Sequence, residues 1–381
     1  MPLIRKATEM GFETLVVSPQ GNYPGLKLAD RVLEFDTTDV ASILNAARNE
    51  KLAGVVTTGT DVCLPALGAL VDNLKLIGPS AQSAAWSSNK VLMKERFRKH
   101  GVPTAKFEVV ESFGAALLAS RKIRYPVMVK ATDSSGSRGI SKASDEASLV
   151  IAWENAKKVS KNGLILVEEY LDGLEFGAQA FVRGRKMDLV LAHNDQVTGP
   201  PYQTPIGHSM PVQLSSAEIA RTEEVSELAL EALNIKDAIC NMDFILHGGE
   251  VKVLEIGARM GATCLPENIS AYTGNNVYEF MILKSVGDSA EFTINRNIPN
   301  ASLLLMAQKD GTINEIIVPE MLKNDSRLIE LNIDIKVGES VKKFAVGPDR
   351  IGNIVVFGKN SLDAEDCAKD LTKQIVFNVG Q

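Results

Sequence analysis

Between Asn241 and Arg259 two apolar runs flank the turn His247-Gly248-Gly249-Glu250, and each run carries one acid, Asp243 and Glu255. Apolar strands joined through a Gly-Gly turn predict a β-hairpin. A three-residue loop, Gly248–Glu250, sets the two acids directly opposite, with Cβ atoms roughly 4.5–5.5 Å apart. A two-residue loop throws them onto opposite faces. Facing carboxylates repel unless a cation lies between them, and Mg²⁺ suits the place because it takes one or two carboxylates plus phosphate oxygens and waters. The competing reading is two solvated strand charges. Arg259, four residues past Glu255, offers a planar, permanent cation for developing negative charge, or else a surface salt bridge.

Two further segments carry weaker signals. Pro126–Lys130 reads as a strand ending in a lysine, followed by the small-residue loop Ser134-Ser135-Gly136-Ser137-Arg138-Gly139. Such a loop can turn N–H groups toward an anion while Lys130 supplies a point charge to phosphate. The chain has no GxxxxGK[ST], so this is not a Walker loop. Leu164–Val167 reads as a strand, and the segment Leu166–Gly177 as a strand leading into an extended linker with backbone free to read a base edge and Glu175 available to ribose hydroxyls. Alone, each segment reads as readily as an ordinary loop.

These residues need elements to hold them. Residues Leu3–Met10 predict a helix, Thr14–Val17 and Arg31–Phe35 strands, and Asp39 opens a helix to about Glu50. A third strand at Gly54–Thr58, a helix through Leu70 and a short strand at Leu74–Ile77 complete an alternation that predicts a parallel, doubly wound sheet. The chain starts at a helix where such a domain normally starts with a strand. That is either an unusual fold edge or a start codon assigned too late. Asn89–Phe97 reads as an amphipathic helix ended by Gly101 and Pro103. Short strands around two helices between Lys106 and Tyr170 predict a small α+β lobe, and Ser215–Glu218 fits a capping box opening a helix to Leu233. From about Glu291 strand patterns recur, with a helix near Ala364–Lys373.

Composition excludes several classes. The 381 residues are 45% hydrophobic and 23% charged, which excludes a disordered chain, and they allow two to four domains at ~100–200 residues each. A net charge of −6 argues against nucleic acid as a partner, and no apolar run reaches the ~18 residues of a membrane span. Four cysteines without a CxxC pair predict neither a disulfide framework nor structural zinc, hence a cytoplasmic protein with reduced thiols.

Singly weak, these signals are specific in their order. Lys90 on a helix, Lys130 with its loop, Glu168–Leu171, Glu175, then Asp243…Glu255-x-x-x-Arg259 resemble the ATP-grasp superfamily over almost the whole chain. The resemblance implies a mixed α/β and α+β architecture: a Rossmann-like lobe, either complete or shortened at its start, over 1–86, and an ATP-grasp domain over 87–290 with a mobile lid at about 106–170. It also implies a C-terminal β-rich α+β lobe over 291–381 like those of biotin carboxylase and the L-amino-acid ligases. By that resemblance Lys90 and Lys130 contact ATP phosphates and Ser135, Gly136 and Ser137 lie in the loop covering them. The backbone of Glu168, Glu169 and Leu171 reads adenine, with Glu175 on the ribose. Asp243 and Glu255 hold one or two Mg²⁺, with Mn²⁺ as a substitute, and Arg259 stabilises an acyl phosphate and the tetrahedral intermediate.

The activity implied is an ATP-dependent carboxylate–amine ligase with small-molecule substrates, in a protein family where homodimers are common. Two alternatives remain: an ATP-dependent carboxylase or carbamoyl-phosphate-type synthetase using bicarbonate, and a nucleotide-binding protein with degenerate catalysis. Two departures matter. Gly257 stands where the family commonly has Asn, leaving one metal ligand missing or supplied by water or a residue such as Asn268. Gly261–Cys264 lacks the acid that biotin carboxylases carry after the arginine, and no Met-Lys-Met biotin signal occurs, so carboxylation is the weaker reading. Gly199–Pro211 resembles the substrate-side loop of amino-acid ligases, where Tyr202 and His208 could line an acceptor pocket or simply order the loop. Cys264 reads as a packed thiol.

Overall fold

A computed structural model describes residues 1–133, 139–199, 204–289 and 291–380. The chain opens with helix α1 (Pro2–Glu9), strands β1 (Leu15–Ser18) and β2 (Arg31–Glu34), and helices α2 (Val40–Ala47), α3 (Leu64–Leu74) and α4 (Ala81–Ser88). Asp39 caps α2 through the Ser42 N–H, as its position predicts. The expected doubly wound sheet reduces, among the described residues, to the parallel pair β1–β2. Among the described residues Gly54–Thr58 runs without a ladder and makes one isolated β-bridge, Thr58 to Met260. Leu74 closes α3 instead of opening a strand, because Lys75 turns left-handed there. Short apolar runs do not by themselves distinguish a strand from a helix end or an extended link.

Helix α5 (Lys90–His100) follows directly, capped at Asn89 and ended by Gly101 at φ 68°. A small layer then forms from β3 (Phe107–Val110), α6 (Phe113–Ile123), β4 (Val127–Ala131), β5 (Ile140–Ala143), α7 (Glu146–Val159) and β6 (Ile165–Glu169). Its four antiparallel strands lie in the order β3-β6-β4-β5 and bury Val127, Val129, Ile165 and Val167 against Leu149 and Trp153 of α7. This is the lobe expected between Lys106 and Tyr170, with one additional strand.

The main sheet collects β7 (Leu174–Arg183), β8 (Lys186–Val197), β9 (Pro205–Met210), then, after α8 (Ser216–Ala232), β10 (Ala238–His247) and β11 (Glu250–Gly257). The Ser215–Glu218 capping box of α8 is formed in both directions. Phe176, Met242, Phe244 and Val253 face α8 and α5 and make the largest core, leaving the opposite face of β7, β10 and β11 for polar chemistry. Helices α9 (Leu265–Thr273) and α10 (Val277–Ser285) follow, then β12 (Asn300–Met306), β13 (Gly311–Ile317), α11 (Glu320–Lys323), β14 (Leu328–Ile333), β15 (Ser340–Val341), β16 (Arg350–Phe357), α12 (Ser361–Gln374) and β17 (Val376–Gly380). The C-terminal strands do not all stand apart: β12, β16 and β14 extend the main sheet through β9, giving the eight-stranded order β11-β10-β7-β8-β9-β12-β16-β14. Only β15-β13-β17 form a separate three-stranded sheet there. Among the described residues no helix is long and apolar enough to cross a membrane.

Candidate active site

Asp243 and Glu255 are directly opposite each other in the β10–β11 hairpin, by a route the sequence did not suggest. The turn is two residues, Gly248 and Gly249, both at positive φ as a tight mirror-image turn requires. That loop alone would separate the acids. A bulge at Leu254 shifts the register by one between Phe244–Val253 and Asp243–Glu255, and returns both carboxylates to one face.

The pair is electrically asymmetric. Glu255 accepts an ion-paired hydrogen bond from Lys90 at 2.7 Å. Burial alone would raise its carboxyl, but Lys90, Lys130 and Arg259 outweigh that and hold it below the usual range. Among the described residues Asp243 has no such cation in contact; burial first, then the charges of Asp195 and Glu255, push it up to about 7. Two facing carboxylates, one short of positive charge, present the all-oxygen donor set that a hard divalent cation takes, so these residues fit Mg²⁺.

Helix α5 serves this site with two lysines four residues apart, hence on one face. Lys90 reaches Glu255; Lys94, buried at 3% exposure, reaches Glu168 at 2.8 Å and Thr104 at 2.7 Å. Lys130 from β4 pairs with the same Glu168 carboxylate. The Glu168 side chain is therefore a strut between lysines, itself 1% exposed. Burial acts to raise its carboxyl, yet the two lysines win and hold it down to about 2. The lysines diverge: burial and Lys130 lower Lys94, whereas attraction to Glu168 outweighs burial and raises Lys130.

Glu168→Gln should cost ~3–5 kcal/mol in urea unfolding, because it strands Lys94 in the interior without its counter-ion. Since the folded carboxyl lies below its ordinary 4.5, the stability it contributes is present above that value and lost as pH falls toward about 2. The variant should accordingly show a weaker loss of stability over that window than the wild type.

The other expected nucleotide contacts fare unevenly. The N–H groups of Glu169 and Tyr170 are taken by the carbonyls of Lys106 (2.8 Å) and Pro126 (3.2 Å), so neither can read a base edge. Of that stretch, the N–H of Leu171 has no intramolecular acceptor among the described residues. Gly173 lets this linker cross β10, since a Cβ there would lie 2.0 Å from the Leu246 carbonyl oxygen. Glu175 is exposed in β7, opposite Ile245. Ser135, Gly136, Ser137 and Tyr202 lie outside the described residues.

Arg259 donates to Asp61 at 2.6 Å and is 13% exposed. Asp61 also accounts for Gly257. A Cβ at 257 would meet Asp61 Oδ1 at 2.6 Å, so the space on this face where an Asn side chain would begin is filled by a carboxylate from the N-terminal region. Asn268 does not fill it: fully buried in α9, its amide bonds Asn300. Cys264 is buried at the start of α9 and burial raises its thiol, as expected of a packed cysteine.

Lys94, Asp61 and the chain Gln179–Asn241–Asp243, linked at 2.6 and 3.2 Å, were missed in the sequence reading. The four-residue spacing from Lys90 could have revealed Lys94. Nothing local marks Asp61, which acts across 198 positions.

A lysine-bearing four-stranded layer beside an acidic hairpin on a larger sheet defines an ATP-grasp type of nucleotide-dependent ligase fold. Residues 89–281 match the family "carbamoyl-phosphate synthase L chain, ATP binding domain", and the chain belongs to that ATP-grasp family of ATP-dependent ligases. Residues 303–380 match L-amino acid ligase C-terminal domain 2. The chain is similar to phosphoribosylglycinamide synthetase of Anaerococcus prevotii, with a TM-score of 0.85, 26% identity and coverage of 99% of this chain and 96% of that one. It shares its fold with an L-amino acid ligase of Bacillus licheniformis, with a TM-score of 0.82, 18% identity, and 100% and 95% coverage. In sequence it is 25% identical over 264 residues to formate-dependent phosphoribosylglycinamide formyltransferase of Rhodococcus jostii, covering 66% of this chain and 64% of that protein. Against the carbamoyl phosphate synthase large chain of Clostridium acetobutylicum the identity is 22% over 348 residues, 88% of this chain and 30% of that protein. The chain thus spans less than two thirds of these curated relatives' lengths.

Proposed function

We propose that the protein is an ATP-dependent carboxylate–amine ligase that forms an amide or peptide-like bond through an acyl phosphate and releases ADP and phosphate. The observation that carries this reading is the single sheet face bearing Asp243, Glu255 and Arg259, with Lys90 in contact with it. The match of the C-terminal region to an L-amino acid ligase domain supports an amine over bicarbonate as the acceptor's chemistry.

In this reading Lys90 and Lys130 are point charges for phosphate oxygens, Ser135–Ser137 cover them, the Leu171 N–H faces the base and Glu175 takes the ribose. Asp243 and Glu255 would hold Mg²⁺, which when bound supplies charge neutralisation to the transferring phosphoryl group. The substrate carboxylate, a poor electrophile, attacks the γ-phosphorus and becomes an acyl phosphate. Arg259, oriented by Asp61, offers paired N–H donors to the oxygens on which charge accumulates as the amine displaces phosphate. A covering lid keeps water from the acyl phosphate.

A phosphate-release screen with ATP, Mg²⁺ and a matrix of amino acids, other carboxylates and bicarbonate tests the proposal. Release that needs both a carboxylate and an amine supports it. Bicarbonate-dependent release without an amine would assign the protein to the carboxylases, and silence across the matrix would leave nucleotide binding alone.

A further inference from the structure

The face that carries Asp243 and Glu255 continues across the sheet to a polar cluster with no role so far. Glu255 pairs with Asp243, Asp243 with Gly177, and Gly177 with His193, so four neighbouring strands place these residues in one row. Asp195, two residues beyond His193, shares that face and pairs with His208 of β9. Strand spacing alone would hold Asp243 and His193 about 10 Å apart at Cα. Gly177 narrows the gap: a Cβ there would fall 2.1 Å from His193 Cε1, so the imidazole leans over the glycine.

His193 and His208 are 1% and 5% exposed, and both point Nδ1 at the same oxygen, Asp195 Oδ1, at 3.0 and 2.7 Å. Two imidazoles and a carboxylate this close suggest a metal site. The hydrogen-bond network argues against one. The Gly261 N–H donates to Gln179 Oε1 at 2.9 Å, which orients the amide so that its NH₂ faces Asn241 Oδ1 and, at 3.2 Å, His193 Nε2. An amide NH₂ only donates, so His193 Nε2 accepts, and the neutral ring keeps its proton on Nδ1, the atom a metal would need. That proton makes no hydrogen bond among the described residues, although Asp195 Oδ1 lies 3.0 Å away. Asp195 Oδ1 is hydrogen-bonded to His208 Nδ1 at 2.7 Å and lies 3.0 Å from His193 Nδ1, while Oδ2 has no partner among the described residues and the side chain is 29% exposed.

We propose that Asp195, hydrogen-bonded by His208 and faced by His193, anchors the ammonium group of the amine substrate. This rests on the carboxylate–amine ligase reading and adds the acceptor's chemical class: a primary amine that is protonated at neutral pH, as α-amino groups largely are. The anchor lies in the row beside Asp243, so an amine bound there stands next to the place where the carboxylate would be activated, and its ammonium gives up one proton, to the acyl-phosphate oxygens that leave as phosphate, before the nitrogen attacks.

The test compares wild type with Asp195→Asn, which keeps the shape and removes the charge. Each of the common L-amino acids serves in turn as carboxylate and as amine, and hydroxylamine serves as a neutral nucleophile that traps an acyl phosphate as a hydroxamate. Loss of one charge-assisted contact should lower the ratio of amine-dependent product to hydroxamate by ~10- to 100-fold, through the amine KM. An unchanged ratio, or equal loss of both products, overturns the anchor. Absence of hydroxamate from wild type with every carboxylate would sink the ligase reading itself, and the anchor with it. Stoichiometric zinc in wild type that is missing from Asp195→Asn would replace the anchor by a metal site. Should the variant fail to fold, wild type still decides: a simple alkylammonium should compete with the amine and its N-acetyl derivative should not, and equal competition contradicts the proposal.

Discussion

Glu255→Ala should abolish ATP turnover, lowering phosphate release by at least ~100-fold, the scale on which removal of one transition-state electrostatic partner is felt. The side chain is the junction of the site: it faces Asp243 across the hairpin and takes Lys90 at 2.7 Å. Removing it has two opposed effects. Asp243 loses one of the charges that raise it, and so ionises more readily. Against that, Lys90 loses its carboxylate and the proposed cation site loses one of its two facing carboxylates, which a single ionised Asp243 does not restore. The second effect should dominate, because hard-cation sites depend on the number and charge of their oxygen ligands. Phosphate release and Mg²⁺-dependent ADP calorimetry should fall together. Retained turnover would remove Glu255 from the metal site.

Arg259→Ala should lower kcat for ligation by ~10²- to 10³-fold while leaving nucleotide affinity much less affected. The guanidinium is nearly buried and held by Asp61 at 2.6 Å, so its orientation is set before any substrate arrives. Arg259→Lys should rescue little, since an ammonium cannot reproduce the paired planar donors. Asp61→Ala, which leaves the arginine in place but unheld, should fall between wild type and Arg259→Ala in kcat. A defect confined to nucleotide binding would contradict the role given to Arg259.

The hairpin was legible because apolar alternation around Gly248–Gly249 is a short-range signal, and so were the Gly101 stop of α5, the Ser215 cap and the strands of the small lobe. The facing of Asp243 and Glu255 was legible only conditionally. It depends on the bulge at Leu254, which no residue type announces. The N-terminal sheet has fewer strands than the sequence predicts: Gly54–Thr58 and Leu74–Ile77 are apolar enough for strands, yet among the described residues the first makes one isolated bridge and the second joins no ladder. Asp61, Gln179 and the histidine cluster escaped because their meaning comes from long-range register: Asp61 beside Gly257, and His193 over Gly177. Glu168 shows the reverse case. Its place near the nucleotide segment was expected, but its buried carboxylate joins Lys94 and Lys130.

The central claim is that a carboxylate is activated by phosphoryl transfer before the amine attacks. Turnover with a carboxylate labelled by ¹⁸O in both oxygens tests it most directly, with the released phosphate read by mass spectrometry. Acyl-phosphate chemistry transfers one labelled oxygen to each phosphate formed. Unlabelled phosphate accompanying amide product would contradict it.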